Sequence, residues 1–263
     1  MYRYGLVSWR LPGDLFHAIE LCWQCSVQSL QIDYGGPNRG PSLDTIDISI
    51  IRKSAESKKV KITALALNLF NDIGISSTNP FDINLCKSIF TNALFLAKKL
   101  ECDTIFIPSF GKSIIISNID IKHSANFLQW CCDQVHPDFI IASENILSVE
   151  HSRKLSNLVN RSNFKLLLDP ANLFNASITS SYYFHELTDL ICNQIHIKSP
   201  TNIALNKLHS DFFSDLNQLI MTPGFLSTEF IYFSENDYRF SDTSFIMSDI
   251  NWIKKYFHSI KES

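Results

Sequence analysis

The chain has 263 residues, of which 45% are hydrophobic, and a formal net charge of −3. This length and composition suit one large domain, since α/β barrels commonly run to about 250 residues. The near-neutral charge, without a lysine or arginine block, argues against a nucleic-acid partner, whose phosphates need many cations. No apolar stretch approaches the roughly 20 residues that cross a bilayer, and Met1 to Tyr4 lead directly into a predicted strand. We therefore expect a soluble cytoplasmic protein without a membrane partner.

Short apolar runs rich in Ile, Leu, Val and Phe alternate with amphipathic helical patterns along the chain. Such runs are typical of parallel strands that are buried on both faces. The predicted strands are 3–9, 29–34, 60–68, 103–109, 139–145, 164–169, 192–198 and 225–231. The predicted helices are 14–25, 44–58, 82–100, 123–135, 148–160, 183–190, 209–220 and 248–260. Capping residues at three helix starts support the pattern: Asp14, Asp82 and Ser148.

Alternating strands and helices with right-handed crossovers form either an open doubly wound sheet or a closed barrel. Eight such units in this length favour closure, so we predict an α/β fold, a single (β/α)8 TIM barrel over residues 1–263. The longest loops are 35–42, 71–82 and 234–244, and they follow predicted strands. We expect these loops on the face where strands end, shaping a substrate pocket.

Seven cysteines, an odd number, are spread over the chain, which indicates reduced thiols. Cys22 and Cys25 form a C-x-x-C motif, but they lie on the apolar face of a predicted helix. No second cysteine pair stands at zinc-ligand spacing. We interpret this pair, and the adjacent Cys131 and Cys132, as core residues.

Four polar side chains close four successive late strands: Glu144, Asp169, His196 and Glu229. Because strand ends converge on one face of a barrel, residues far apart in sequence can meet there around one ion. Hard oxygen ligands with one imidazole suit one divalent metal ion, Mn²⁺ first, with Mg²⁺, Co²⁺ or Zn²⁺ as alternatives. Taken singly, each residue also suits a solvated loop or a satisfied core position.

Such an ion, chelated by adjacent carbonyl and hydroxyl oxygens of a substrate, acidifies the C–H bond between them and stabilises an enediolate. The reaction then needs a base on one side and often an acid on the other. Glu144 and Glu229, from strands 5 and 8, could supply both. The sequence thus predicts proton transfer next to a carbonyl group.

The chain resembles the xylose isomerase-like barrels, in the branch of sugar isomerases and epimerases that includes hydroxypyruvate isomerase, ketose 3-epimerases and inosose dehydratase. The opening strand, helix and strand over 5–36 are similar to that family's. Four later motifs also resemble it: Ser143-Glu144-Asn145, Asp169-Pro170-Ala171-Asn172, His196-Ile197-Lys198 and Gly224 to Glu229.

The resemblance implies one divalent ion bound by Glu144, Asp169, His196 and Glu229, with the two glutamates moving protons. It also implies that Asn172 and Lys198 contact the substrate, Lys198 through a carboxylate or phosphate unless it is solvated. Further residues at strand ends are expected to line the pocket, although each also suits an ordinary loop role: Trp9, Asn68, Ser109 and Lys112.

Two departures weaken a specific epimerase assignment. Ser199 stands where an aspartate often follows the strand-7 motif, and Asn172 stands where ketose 3-epimerases have a histidine. The related endonuclease branch uses more strand-end histidines than this chain offers.

The leading hypothesis is a metal-dependent isomerase or epimerase of carbohydrate metabolism that acts on a small sugar or hydroxy-keto acid. A dehydratase remains open, because the same base and metal could expel a β-hydroxyl group. A non-catalytic barrel that binds a metabolite or a partner protein also remains open, as does a homo-oligomer.

Overall fold

The computed structural model describes residues 4–259, which form a closed barrel of eight parallel strands paired in sequence order. The ring closes where β1 pairs with β8, with Gly5 opposite Phe233. The strands are β1 Tyr4–Val7, β2 Ser29–Asp33, β3 Lys61–Ala66, β4 Thr104–Pro108, β5 Ile140–Glu144, β6 Phe164–Leu168, β7 Ile191–Ile197 and β8 Ile231–Ser234. The predicted (β/α)8 barrel is confirmed.

Ten α-helices within the described residues surround the barrel and its loops. They are α1 Leu15–Gln24, α2 Ile48–Ser57, α3 Phe70–Ile73, α4 Pro80–Lys99, α5 Asn118–Asp133, α6 Val149–Val159, α7 Pro170–Asn175, α8 Ser180–Leu187, α9 Ser210–Ile220 and α10 Thr243–Ser259. Residues 3 and 260, the outer limits of a predicted strand and a predicted helix, lie outside the described residues. None of the helices in the described part is both long and apolar enough to cross a membrane.

Two of the three predicted helix caps are confirmed. The side chains of Asp14 and Ser148 accept hydrogen bonds from the first turns of α1 and α6. Asp82 is not a cap, because α4 begins earlier, at Pro80, after Asn79 accepts from the Phe81 N–H. Proline suits the first helical position because its missing N–H would have no partner there.

Strand β8 lies later in the chain than predicted. The predicted strand 225–231 ends where the observed strand begins, at Ile231. Phe225 is buried, and its ring packs against Phe184 of α8 and against Phe230, each at 5.1 Å between ring centroids. The apolar residues near 225 therefore pack against the helix layer instead of joining the sheet.

The main hydrophobic core lies between the strands and the helices, and a smaller cluster fills the inside of the barrel. The inner cluster comprises Ala64, Ala66, Phe106, Ala142, Leu167 and Cys192. All seven cysteines are free and buried, so the interpretation of Cys22, Cys25, Cys131 and Cys132 as core residues is confirmed. Burial raises the pKa of Cys25 and Cys132, which keeps these thiols protonated and unreactive.

Candidate metal centre

Four buried polar side chains converge at the carboxyl ends of the last four strands. Glu144 is the last residue of β5, Asp169 follows β6, His196 lies near the end of β7 and Glu235 follows β8. Each residue offers one ligand atom, and these four atoms all lie within 4.8 Å of one another. Because parallel strands in a closed barrel end on one face, residues from four separate segments meet there.

Glu229 is not part of this cluster, and its predicted place at the end of strand 8 is wrong. It is exposed and precedes β8, so it lies towards the amino ends of the strands, away from the cluster. Glu235 occupies the expected position. The sequence carries the signal for it, since the apolar run 230–233 is closed by Ser234 and Glu235 in the same way as the other strands.

One nitrogen of the His196 ring is bound to the protein and the other faces the cluster. Nε2 lies 2.7 Å from Oε1 of Gln31. Since an amide oxygen only accepts, Nε2 carries the proton of this hydrogen bond. Nδ1 is buried without a well-aligned hydrogen bond to any described residue, and it lies 3.3 Å from Glu235 Oε2 and 4.0 Å from Glu144 Oε2. This is how a metal-binding histidine is oriented.

A relay of buried amides fixes the orientation of Gln31. Gln31 Nε2 donates to Gln194 Oε1 at 3.0 Å, and Gln194 Nε2 donates to the Thr63 carbonyl at 3.2 Å. The Thr63 hydroxyl also donates to Gln194 Oε1, at 3.1 Å. Each amide therefore has one orientation that satisfies its neighbours, and the relay leaves the Gln31 oxygen directed at His196.

Lys198 supplies a positive charge next to the cluster. Its Nζ lies 2.7 Å from Asp169 Oδ2 and 2.7 Å from Glu235 Oε2. Burial alone would lower the pKa of Lys198, but attraction by Asp169 and Glu235 raises it, so the ammonium stays charged. Lys198, which was predicted to contact the substrate, lines the pocket, and its ammonium pairs with these two carboxylates.

The pKa values of the carboxylates in the cluster are shifted in different directions. Burial, followed by repulsion from Glu235, raises the pKa of Glu144 to about 7. Burial also raises the pKa of Asp169, against the attraction of Lys198. Burial would do the same to Glu235, but Lys198 and His196 hold its pKa well below the usual range. Burial lowers the pKa of His196, and the neighbouring carboxylates, Glu235 foremost, outweigh it and raise that pKa.

These residues fit a divalent cation. Three buried carboxylates stand around the ammonium of Lys198, which pairs with two of them, and burial, followed by repulsion from Glu235, raises the pKa of the third, Glu144. Nδ1 of His196 is left with no aligned donor or acceptor in the part of the chain that the structure describes. A cation would displace the protons held at these positions and satisfy the nitrogen.

A pocket of about 600 Å³ opens onto the cluster, with Glu144 and Glu235 in its wall. All three long loops contribute to it, through Asn38, Asn71 and Arg239 among others, as the sequence predicted. Its size is typical of a site for a small molecule.

Trp9 and Asn68 line the pocket as predicted, and Asn172, which was predicted to contact the substrate, also lines it. The Trp9 Nε1–H donates to Glu235 Oε1 at 3.0 Å, and Asn172 Nδ2 donates to Glu144 Oε1 at 2.8 Å. These two contacts orient the two glutamates. Trp9 and Asn172 therefore bind residues of the cluster and also line the pocket.

Ser109 and Lys112 do not line the pocket in the described structure. Ser109 is buried beneath it, where its N–H donates to the Glu144 carbonyl at 2.8 Å, and Lys112 is exposed to solvent. Pro108 and Phe110 line that side instead, because β4 ends at Pro108 and the chain turns there.

Asp33 is a pocket residue that the sequence analysis missed. It closes β2, lines the pocket, and accepts a hydrogen bond from the Asn68 N–H at 3.3 Å. Burial raises its pKa to about 6. The run SLQID carries the same signal as the strands that end at Glu144 and Asp169, namely an apolar strand closed by a carboxylate.

No protein-family model matches the chain. The chain is 28% identical over 268 residues to a 2-epi-5-epi-valiolone 7-phosphate 2-epimerase from Actinoplanes sp., which covers 99% of this chain and 97% of that protein.

Two solved structures share the fold at low sequence identity. An L-ribulose 3-epimerase matches with a TM-score of 0.81 at 13% identity, over 100% of this chain and 96% of that one. A probable 3-DHS dehydratase from Bacillus anthracis matches with a TM-score of 0.69 at 12% identity, over 96% of this chain and 98% of that one. Proteins named for two different reactions therefore share this architecture, and the fold alone does not select between them.

Proposed function

We propose that the chain is a xylose isomerase-like TIM barrel enzyme, a metal-dependent epimerase or isomerase that moves a proton next to a carbonyl group. The observation that carries the proposal is the convergence of Glu144, Asp169, His196 and Glu235 within 4.8 Å, from the ends of four successive strands. The full-length similarity to an epimerase supports this reaction over the others that the fold hosts.

Glu144, Asp169, His196 and Glu235 are the residues that would hold the ion. Mn²⁺ remains our first choice, with Mg²⁺, Co²⁺ and Zn²⁺ as alternatives, because the donor set is three carboxylates and one imidazole. When bound, a divalent ion polarises the substrate carbonyl and stabilises the negative charge that develops on its oxygen.

Glu144 and Glu235 are the proton-transfer residues, since their pKa values are driven apart. Glu235 is ionised and firmly oriented, with Trp9 bound to Oε1 and Lys198 to Oε2, and it accepts a proton from the substrate carbon. Burial raises the pKa of Glu144 to about 7 in the metal-free protein, and its Oε2, the oxygen not bound by Asn172, is the atom that exchanges a proton with the substrate. Two carboxylates from β5 and β8 can thus remove and return a proton.

The substrate is a small polyhydroxylated carbonyl compound. The pocket of about 600 Å³ holds amide and carboxylate groups suited to hydroxyl groups, among them Asn68, Asn172 and Asp33. The relative from Actinoplanes is named for a phosphorylated substrate, so phosphorylated compounds belong in the first panel to be tested.

Metal analysis combined with deuterium exchange tests the proposal. Purified protein should take up about one divalent ion per chain and, in D₂O, incorporate deuterium next to the carbonyl of a compound in a panel of ketoses and ketose phosphates. The panel includes 2-epi-5-epi-valiolone 7-phosphate, and protein stripped of metal by a chelator serves as the control. Loss of water from the compound would assign a dehydratase instead. Absence of both metal uptake and exchange would refute the proposal.

A further inference from the structure

The pocket wall contains an arginine that proton transfer does not use. Arg10 directly follows Trp9 after β1 and lines the pocket together with Glu235. Its charge helps to hold down the pKa of Glu235, although Lys198 and His196 have larger effects. The backbone at this point is fixed, because the Tyr238 N–H donates to the Arg10 carbonyl at 2.7 Å.

The guanidinium of Arg10 has unused donors. Its Nε is buried without a hydrogen-bond partner among residues 4–259. Its ion-pair partner in the structure is Asp237, whose Oδ2 lies 4.0 Å from Nη1, which is beyond hydrogen-bond distance. A buried donor without a partner costs free energy, so a group that accepts from it should bind favourably.

The other two arginines of the pocket are engaged. Arg39 donates to both oxygens of Asp72, at 2.6 and 2.9 Å. Arg239 donates to both oxygens of Asp237, at 2.8 and 2.5 Å. The charge of Asp237 is therefore already matched by Arg239, and the charge of Arg10 is left for a ligand.

We propose that Arg10 forms a subsite for the phosphoryl group of the substrate. A planar guanidinium presents parallel N–H donors that match the oxygens of a tetrahedral dianion. Arg10 follows β1, which is paired with β8, so the subsite stands at that edge of the barrel mouth. The subsite rests on the proposed function in that it binds a substituent of the substrate of that reaction.

Sulfate is the first probe, because it has the shape and charge of a phosphoryl group and a weak affinity for divalent metals. Calorimetric titration should show sulfate binding to the metal-loaded protein. Arg10→Met should weaken it by about 10-fold to 100-fold, since hydrogen bonds to charged groups contribute about 1.5–3 kcal/mol. Arg39→Met is the matched control, because this arginine is in the same pocket but bound to Asp72, and it should leave sulfate affinity unchanged.

A pair of sugars then distinguishes a phosphoryl group on the substrate from a free anion. The wild-type protein should bind D-fructose 6-phosphate at least about 10-fold more tightly than D-fructose, and Arg10→Met should bring this ratio close to one. Sulfate binding without any preference for the phosphorylated sugar would overturn the assignment to substrate, and so would a preference that survives Arg10→Met.

Metal binding and thermal unfolding of both arginine variants separate this inference from the proposed function. If metal uptake and deuterium exchange are intact while sulfate does not bind, or while Arg10→Met and Arg39→Met weaken it equally, only the subsite is refuted. If the wild-type protein takes up no metal, the proposed function fails whatever sulfate does.

Discussion

Both ends of the barrel carry charged residues around a cavity. These residues are exposed at one end and buried at the other. At the amino ends of β2 and β3, a cavity of about 450 Å³ is lined by Arg52, Glu56 and Glu101. Arg52 pairs with both glutamates, at 2.7 and 2.8 Å, and all three side chains are largely exposed. At the carboxyl ends, Glu144 and Glu235 are buried beside a histidine nitrogen that lacks an aligned partner.

This difference shows that burial, more than charge or cavity size, distinguishes a chemical site from an ordinary surface. Exposed ion pairs are screened by water and salt, so they contribute little free energy. Buried carboxylates cannot be screened, and they either shift their pKa or bind a cation. The carboxyl end contains groups that titrate near neutral pH, and that end therefore is the one suited to proton transfer.

The largest expected effect comes from the two buried glutamates. Glu144→Gln and Glu235→Gln keep the side-chain shape but cannot exchange a proton, and loss of a general base typically costs about 10²-fold to 10⁴-fold in turnover. Glu229→Gln is the matched control at the other end of the barrel, and it should turn over near the wild-type rate. Steady-state kinetics on the substrate found by deuterium exchange measure this. Equal losses in all three variants would remove the distinction between the ends.

The pH dependence of stability gives the next effect, in protein kept free of metal by a chelator. The pKa of Glu144 rises from its ordinary 4.5 to about 7 on folding, mainly through burial. The folded state then binds this proton more tightly, so the contribution of this group to stability is greatest below pH 4.5 and is lost as pH rises to about 7. The size of this loss is about 3 kcal/mol.

Glu144→Gln isolates this contribution, because glutamine does not titrate and the other groups of the cluster remain. The free energy of unfolding of the wild type minus that of the variant should fall by about 3 kcal/mol over this pH interval. Urea unfolding at several pH values measures the difference. A difference that stays flat, or that rises with pH, would show that burial does not govern this carboxyl group.

The amide relay inside the barrel gives a smaller effect, on metal affinity. Gln31→Met removes the acceptor for His196 Nε2–H, so the ring loses its fixed orientation, and changes of this kind typically weaken metal binding by about 10-fold to 100-fold. Gln31→Glu restores an acceptor and should recover most of the affinity. Competition with a coloured chelator for Co²⁺ measures both, and unfolding curves check that each variant is folded. Unchanged affinity in Gln31→Met would rule out a positioning role.

The sequence predicted the barrel and three of the four clustered residues for a shared reason. Glu144 and Asp169 each follow a largely apolar run, and His196 lies within the predicted strand 192–198, because local hydrophobicity is what marks a buried strand. The prediction failed at β8, where the apolar run around Phe225 packs on a helix and only tertiary contacts reveal it. Periodicity alone cannot separate a short buried strand from another buried segment.

Some residues have a role only through a partner that is distant in the sequence, and these roles could not be predicted from the sequence. Gln31 and Gln194 are 163 residues apart, and their relay exists only because the barrel brings β2 and β7 across from each other. Arg10 and Arg39 look alike in the sequence, and only the structure shows that Asp72 holds one of them while the other keeps free donors.

The smallest expected effect concerns the exposed end of the barrel. Arg52→Met removes both ion pairs there, and because these side chains are exposed and screened, we expect turnover and metal affinity to change by less than about twofold. The same variant should show the weaker salt dependence of stability that follows from losing a screened pair. Kinetics, Co²⁺ competition and unfolding at low and high salt test this. A large loss of turnover would mean that the amino end takes part in the reaction, and the contrast between a buried, chemical end and an exposed, structural end would no longer hold.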